Sequence, residues 1–259
     1  MRVDLHNHTT RCNHATGTIE EYIQRAIELG VEIYGFSEHA PLEIDPHYRL
    51  DFEQMREYEA DILNAKAKYQ DQIDIRLGYE VDYLPNYLDE RILNAKVDYL
   101  IGSVHFLDNW GFDNPEFIKE YQNRDIDAIW QEYFGAIESM ANTKYFDIVG
   151  HLDLIKVFKY MPSLPIETLA QNALEAIKEA KMAIEINPAG LRKPIGEQYP
   201  SRQLLERVYE MGIEITFGSD AHRVVDVGLG YDEVTTLAKT IGFKEVVAFK
   251  DRQKEYYPL

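Results

Sequence analysis

Short apolar runs alternate along this chain with longer stretches in which apolar residues return every three or four positions. The first run, residues 3–5, precedes a helical pattern over 19–29. Thr18 opens that helix, Glu20 and Glu21 place negative charge in its first turn, and Gly30 closes it. Further strand-like runs fall at 32–36, 73–79, 99–104, 146–149, 183–186, 214–217 and 246–249. Helical spacing recurs over 52–69, 87–95, 126–141, 166–180, 201–211 and 232–241, with Gly212 stopping the fifth of these. Seven major strand–helix repeats imply parallel strands joined by right-handed crossovers, in a barrel or a doubly wound sheet. No Gly-x-Gly-x-x-Gly turn follows a strand, which weakens a dinucleotide-binding reading. No Gly/Ser linker or low-complexity segment marks a boundary, so a single domain over 1–259 is expected.

Charge narrows the partners. Lys plus Arg number 27 and Asp plus Glu 45, a formal charge of −18. Such a surface repels a phosphate backbone and disfavours long nucleic acids. The single cysteine, Cys12, excludes an intramolecular disulfide and fits a reducing cytoplasm. No apolar run approaches the roughly 18 residues that cross a bilayer, and the start of the chain lacks a signal-peptide core. A cytoplasmic protein without a membrane partner is expected. Oligomeric state is not legible in the sequence.

The histidines change the picture most. Of eight, six lie at or just beyond the carboxyl end of a predicted strand: His6, His8, His39, His105, His151 and His222. The third strand ends instead in Glu80, and His14 sits in the loop after the first strand. Residues two apart in a strand share a face, so His6 and His8 can converge on one ion, and Asp220 and His222 can approach from the far end of the chain. Parallel α/β architectures place their sites at these strand ends. A lone histidine there is usually a satisfied polar residue, but this recurrence is hard to produce by chance. Imidazoles and carboxylates together suit zinc, manganese or iron.

The ordered motifs Asp4-Leu5-His6-Asn7-His8, Phe36-Ser37-Glu38-His39, Gly78-Tyr79-Glu80, Gly102-Ser103-Val104-His105, Gly150-His151 and Gly218-Ser219-Asp220-Ala221-His222 resemble the polymerase and histidinol phosphatase (PHP) family. That resemblance implies a distorted (β/α)7 barrel with a trinuclear metal site at the C-terminal ends of the strands. Carried over residue by residue, it gives one metal to His6, His8, Glu80 and Asp220. Glu80 bridges to a second held by His105 and His151, and a third takes His14, His39 and His222. Glu80, Asp220 and His222 are the expected catalytic members of that set. The stretches 11–17, 80–83 and 185–192 further resemble the histidinol-phosphate phosphatases, implying a phosphoric monoester hydrolase of histidine biosynthesis.

Phosphate monoester hydrolysis is among the slowest uncatalysed reactions. Two neighbouring metals can activate a bridging water and neutralise phosphoryl oxygens, so in-line attack by a metal-bridging hydroxide is expected. Up to three divalent ions would also reverse the local sign of an acidic protein's field. Arg192 is the leading protein cation for the phosphate, because its planar fork matches paired oxygens. Lys156, Lys159 and His47 follow, with surface charge or an exposed loop as their plain alternatives. Asp4 and Asp153, each two residues from a proposed ligand, are candidates to orient imidazoles. Glu43, Asp45 and Asp108 are loop carboxylates that suit a substrate ammonium. Two other functions compete: a phosphoesterase for a nucleotide, short oligonucleotide or other small ester, and a metal-binding regulator without turnover. The intact ligand set argues against the last.

Overall fold

The computed structural model describes residues 2–259. In chain order, β1 (Val3–Asp4), β2 (Ile33–His39), β3 (Asp74–Asp82) and β4 (Tyr99–Ser103) lead to a small antiparallel hairpin, β5 (Phe106–Leu107) and β6 (Trp110–Gly111). Then come β7 (Ile148–Val149), β8 (Ala183–Ile186) and β9 (Ile215–Phe217). Seven of these strands pair in parallel in the order β1-β2-β3-β4-β7-β8-β9. The Leu5 N–H donates to the Phe217 carbonyl at 2.8 Å and the Asp220 N–H to the His6 carbonyl at 2.7 Å, so the first strand meets the last and the barrel nearly closes.

The helices are α1 (Ile19–Glu28), α2 (Phe52–Tyr69), α3 (Glu90–Leu93), α4 (Ile126–Thr143), α5 (Ile166–Leu169), α6 (Gln171–Ala180), α7 (Arg202–Glu210) and α8 (Tyr231–Ile241). Thr18 and Glu21 form a reciprocal capping box on α1, as do Asp51 and Gln54 on α2, satisfying amides that have no partner within the helix. The helix expected over 87–95 condenses to α3, and the one over 166–180 divides at Ala170.

Tyr99 braces the barrel interior. Its hydroxyl donates to the Leu5 carbonyl at 2.6 Å, and Gly35 and Gly78 leave room for its ring, which a Cβ at either position would strike. This tyrosine thereby ties β4 to the end of β1 across β2 and β3.

The last predicted run does not join the barrel. It is β10 (Glu245–Lys250), paired antiparallel with β11 (Gln253–Pro258), a strand too polar to stand out by pattern. This hairpin is tied to residues at the amino-terminal end of the barrel. Arg76 Nη1 donates to the Phe249 carbonyl at 2.7 Å and Nη2 pairs with Glu255 at 2.8 Å. Arg252 pairs with Asp147, Lys254 pairs with Glu214, and the Arg252 N–H donates to the Asp98 carbonyl at 2.9 Å. The opposite end, where the strands finish, is left for chemistry. Among the described residues no helix is long and apolar enough to cross a membrane.

Tyr99→Phe removes a buried donor and leaves the Leu5 carbonyl short of a partner. We expect about 1–3 kcal/mol of destabilisation, read as a lower denaturant midpoint with an unchanged slope.

Candidate metal centre

Glu80 stands at the end of β3, paired in register with His39 on β2, and its side chain is 1 % exposed. Oε2 lies 2.9 Å from His39 Nδ1, 3.3 Å from His6 Nε2 and 3.6 Å from His8 Nε2. Oε1 lies 2.9 Å from His151 Nε2 and 3.6 Å from His105 Nε2. One carboxylate thus faces imidazoles on both sides. Burial opposes charge on Glu80, but the surrounding imidazoles outweigh it and hold the carboxyl well below its ordinary range. Asp220 is held down in the same way by His6, His8 and His222 against its burial, with Oδ1 3.5 Å from His8 Nε2.

Four donor sets lie close enough to share an ion, each with atoms within 4.8 Å of one another: His6, His8 and Glu80; Glu80, His105 and His151; His8, His39 and His222; and Cys12, His14 and His222. The His14 ring is stacked 4.5 Å from His222 and 5.4 Å from His39, so the three imidazoles expected to act together are neighbours. Buried His6 Nε2, His8 Nε2 and His222 Nε2 have no hydrogen-bond partner among the described residues. Unpaired buried imidazole nitrogens beside ionised carboxylates fit a divalent cation, which would satisfy both. Burial, reinforced by the neighbouring His8, drives the His39 imidazole down to about 3 and His222 well below its ordinary range. Both shifts run toward the neutral imidazole, the form that can ligate a metal.

The other face of each ring decides its orientation. Glu185, at the end of β8, accepts from His6 Nδ1 at 2.7 Å, Glu38 on β2 from His8 Nδ1 at 3.2 Å, and Asp82 on β3 from His105 Nδ1 at 2.6 Å. These carboxylates fix the tautomer that turns Nε2 toward Glu80. Against burial, Asp220 and Glu38 push His8 up to about 9, and Asp82 and Glu80 do the same for His105; the same carboxylates favour a metal cation, which would displace that proton on binding. Two residues of the site carry positive φ without being glycine, His151 at 23° and Asp220 at 50°. Such strain gathers where geometry serves function.

The sequence reading missed these three orienting carboxylates. Part of their signal was present: Glu185 is an acidic residue inside an apolar strand run, where a charge needs a buried partner, whereas Glu38 and Asp82 lie just past the ends of the runs over 32–36 and 73–79. Asp4 and Asp153 do something else. Asp4 accepts from the Ser219 N–H at 2.8 Å and hydroxyl at 2.6 Å, holding the 218–222 turn against β1. Asp153 accepts from the Ser201 N–H at 2.8 Å and pairs with Lys156 at 3.0 Å. Lys156 is not a surface charge: it is buried, and its three hydrogens go to Asp153, Glu197 at 2.7 Å and the Gln198 carbonyl at 2.8 Å. None remains for a phosphate. Lys159 is exposed.

Arg192 Nη2 donates to the Ser219 and Asp220 carbonyls at 3.0 and 3.2 Å, while its Nη1 is buried without a partner. His47 is exposed on the turn after β2, its ring 4.6 Å from Tyr48, whose own ring meets His14 at 5.4 Å. Asp45 is bound to Arg49 at 2.6 Å, and Glu43 and Asp108 are exposed. Asp113, which the sequence reading passed over, is half-buried beyond β6 with no hydrogen bond or ion pair among the described residues. Its charge acts on His105, Arg49 and Tyr199. The Tyr199 hydroxyl is likewise buried and unpaired. Burial pushes the Cys12 thiol far above its usual range, so it is no nucleophile.

A parallel barrel with imidazoles and carboxylates gathered at its strand ends defines a metal-binding α/β-barrel protein. Residues 4–189 match the PHP domain model, and the chain belongs to the PHP domain family. It is 37% identical over 257 residues to a "Probable histidinol-phosphatase" of Deinococcus radiodurans, covering 97% of this chain and 98% of that one. It is 33% identical to a "Histidinol-phosphatase" of Bacillus subtilis, covering 88% of this chain and 96% of that one. The crystal structure of histidinol phosphate phosphatase from Lactococcus lactis, complexed with zinc, L-histidinol and phosphate, shares the fold with a TM-score of 0.84 at 24% identity over 98% of both chains.

Gly218 follows β9, where a Cβ would collide with both the Glu185 carboxylate and His6 Cβ. Gly218→Ala is expected to cost about 1–3 kcal/mol and to lower bound metal, read by thermal unfolding and by elemental analysis of the dialysed protein.

Proposed function

We propose that this chain is a metal-dependent phosphatase that hydrolyses L-histidinol phosphate to L-histidinol and phosphate, with residues 1–259 acting as one catalytic domain. The observation that carries this reading is Glu80, a single buried carboxylate shared by imidazoles from four other strand ends. The histidinol-phosphatase names of two full-length relatives support the substrate. A lone buried cysteine is compatible with a cytoplasmic location.

His6, His8, Glu80 and Asp220 hold one ion in this reading, Glu80, His105 and His151 a second, and His14, His39 and His222 a third. Two close donor sets support the first two groupings, with Asp220 reaching the first beside His8; around the third, His39 and His222 group with His8, and His14 groups with Cys12 and His222. When bound, zinc, manganese or iron ions supply Lewis acidity that activates water and neutralises phosphoryl charge at neutral pH. Glu80 couples two ion positions, so its loss disturbs both. Asp220 and His222 sit on the turn that Asp4 holds against β1, next to the Arg192 guanidinium. The unpaired Nη1 of Arg192 supplies a charged donor for a phosphoryl oxygen, and His47 stands at the rim where the same phosphate would enter.

A histidinol ester also presents an ammonium group. Asp113 suits it, being a half-buried carboxylate with no partner of its own beside the His105 side of the centre. A small phosphate monoester with a cationic tail therefore meets complementary charge at both ends.

Glu80→Ala is expected to abolish turnover and to lower metal content by more than one equivalent, measured by elemental analysis alongside phosphate release. Near-normal activity in that variant would overturn the shared-carboxylate reading. The substrate is tested by kcat/KM of the metal-replete enzyme on L-histidinol phosphate, an aryl phosphate, a mononucleotide and a phosphodiester. We expect a preference of several orders of magnitude for L-histidinol phosphate; comparable slow rates on all four would move the substrate elsewhere. Asp113→Asn should raise KM for L-histidinol phosphate about 10–100-fold, the worth of a charged hydrogen bond, with little change on the aryl phosphate.

A further inference from the structure

The three carboxylates that orient imidazoles are not held alike. Glu38 takes its remaining hydrogen bonds from neutral donors: the Thr9 N–H at 2.8 Å, the Thr9 hydroxyl and the His39 N–H at 3.0 Å. Glu185 likewise accepts from the His151 N–H at 2.8 Å and Asn187 Nδ2 at 3.1 Å. Asp82 alone among them is gripped by a cation. Arg49 Nε donates to Asp82 Oδ2 at 2.8 Å and Nη2 to Oδ1 at 3.2 Å, a two-pronged contact between side chains 6 % and 2 % exposed. Asp82 Oδ1 also accepts from His105 Nδ1 at 2.6 Å.

The third arm of the guanidinium points elsewhere. Arg49 Nη1 donates to Asp45 Oδ2 at 2.6 Å, and the Arg49 ring contact is Phe106, the residue after His105, with the guanidinium carbon 5.5 Å from its centroid. Asp45 and Arg49 bracket the 46–48 turn that carries His47, and the Leu50 N–H closes that loop onto the His39 carbonyl at 3.1 Å. A continuous chain, His105–Asp82–Arg49–Asp45, thus joins a metal donor to the rim loop.

We propose that Arg49 is a positioning residue that locks Asp82, and through it His105, for the ion shared by Glu80, His105 and His151, while tethering the His47 loop through Asp45. This rests on the ligand assignment proposed above. An aspartate has two side-chain torsions, and an imidazole alone leaves its carboxylate free to rotate. The planar fork of Arg49 removes that freedom by holding both oxygens. A lysine at this position carries the charge but offers no fork and cannot span both aspartates. Loss of an outer partner of a metal-binding histidine typically costs about 10–100-fold in metal affinity.

The test uses the full-length, zinc-loaded protein titrated with a chelator, counting ions retained, with cobalt-substituted protein giving a visible absorption readout of the same sites. His105→Ala is the reference and should lose one ion; if it loses none, the ligand assignment fails and not the role of Arg49. With that reference in hand, Arg49→Gln should weaken one ion about 10–100-fold and leave the others at wild-type affinity. Asp82→Asn should match it, and the double variant should be no worse than Asp82→Asn. Arg49→Lys, which keeps the charge and the stem and so guards against misfolding, should still hold that ion weakly. Asp45→Asn should keep every ion but raise KM with kcat little changed. Wild-type retention in Arg49→Gln, equal loss of all ions, full rescue by lysine, or additive effects of Arg49→Gln and Asp82→Asn would each overturn the proposal.

Discussion

An ionised carboxylate sealed from water persists only where opposite charge and hydrogen-bond donors surround it, because desolvation alone would neutralise it. Glu80 meets that condition through imidazoles from four other strand ends, at 2.9 to 3.6 Å. No local segment could assemble such a set. Each of those histidines has to arrive at the same height in the barrel, and the parallel register that pairs His39 with Glu80 sets that height. The arrangement is therefore a property of the whole closed sheet, and any element that perturbs the register perturbs the centre.

The ends of the barrel divide the work. At the amino-terminal end, Arg76 on β3 holds the closing hairpin through Glu255 and the Phe249 carbonyl, and Arg252 and Lys254 of that hairpin pair with Asp147 and Glu214, next to β7 and β9. At the carboxyl end, stability is given up for geometry: His151 and Asp220 carry strained backbone, and several imidazole nitrogens face one another without hydrogen bonds. Around them Glu38, Asp82, Glu185 and Asp4 form a collar of buried acids, each fully occupied. A site of this kind is rigid because its supporting shell is rigid, and the supports come from the strands themselves.

Much of this was readable in one dimension. Strand and helix alternation appears as a change of apolar period, and the histidines stand at strand ends because the same pattern says where each strand stops. What escaped the pattern was short, polar or compensated. The β5–β6 hairpin is two residues a side, and β11 is mostly polar. Asp4 and Asp153 looked like imidazole partners by spacing, yet they face a turn and a lysine. Glu38, Asp82 and Glu185 hid because a buried acid and an exposed one are the same letter. Lys156 read as a candidate cation for the phosphate, with a surface charge as its alternative, because sequence does not show that Asp153 and Glu197 enclose it.

The sequence by itself determined which residues are chemically able to act and the order in which the strands would deliver them, since period and punctuation are local properties of the backbone. It also carried the choice of donor atoms, because imidazole and carboxylate chemistry belongs to the side chain. Tertiary structure alone decided which carboxylate serves which ring, that Arg49 reaches Asp82 and Asp45 together, and that Arg192 has one nitrogen to spare. Apart from Arg49 and Asp45, which are 4 positions apart, those pairings join residues tens of positions apart or more, up to 179 for His6 and Glu185. Closure of the barrel brings them within hydrogen-bonding distance, where burial turns each contact from optional to obligatory.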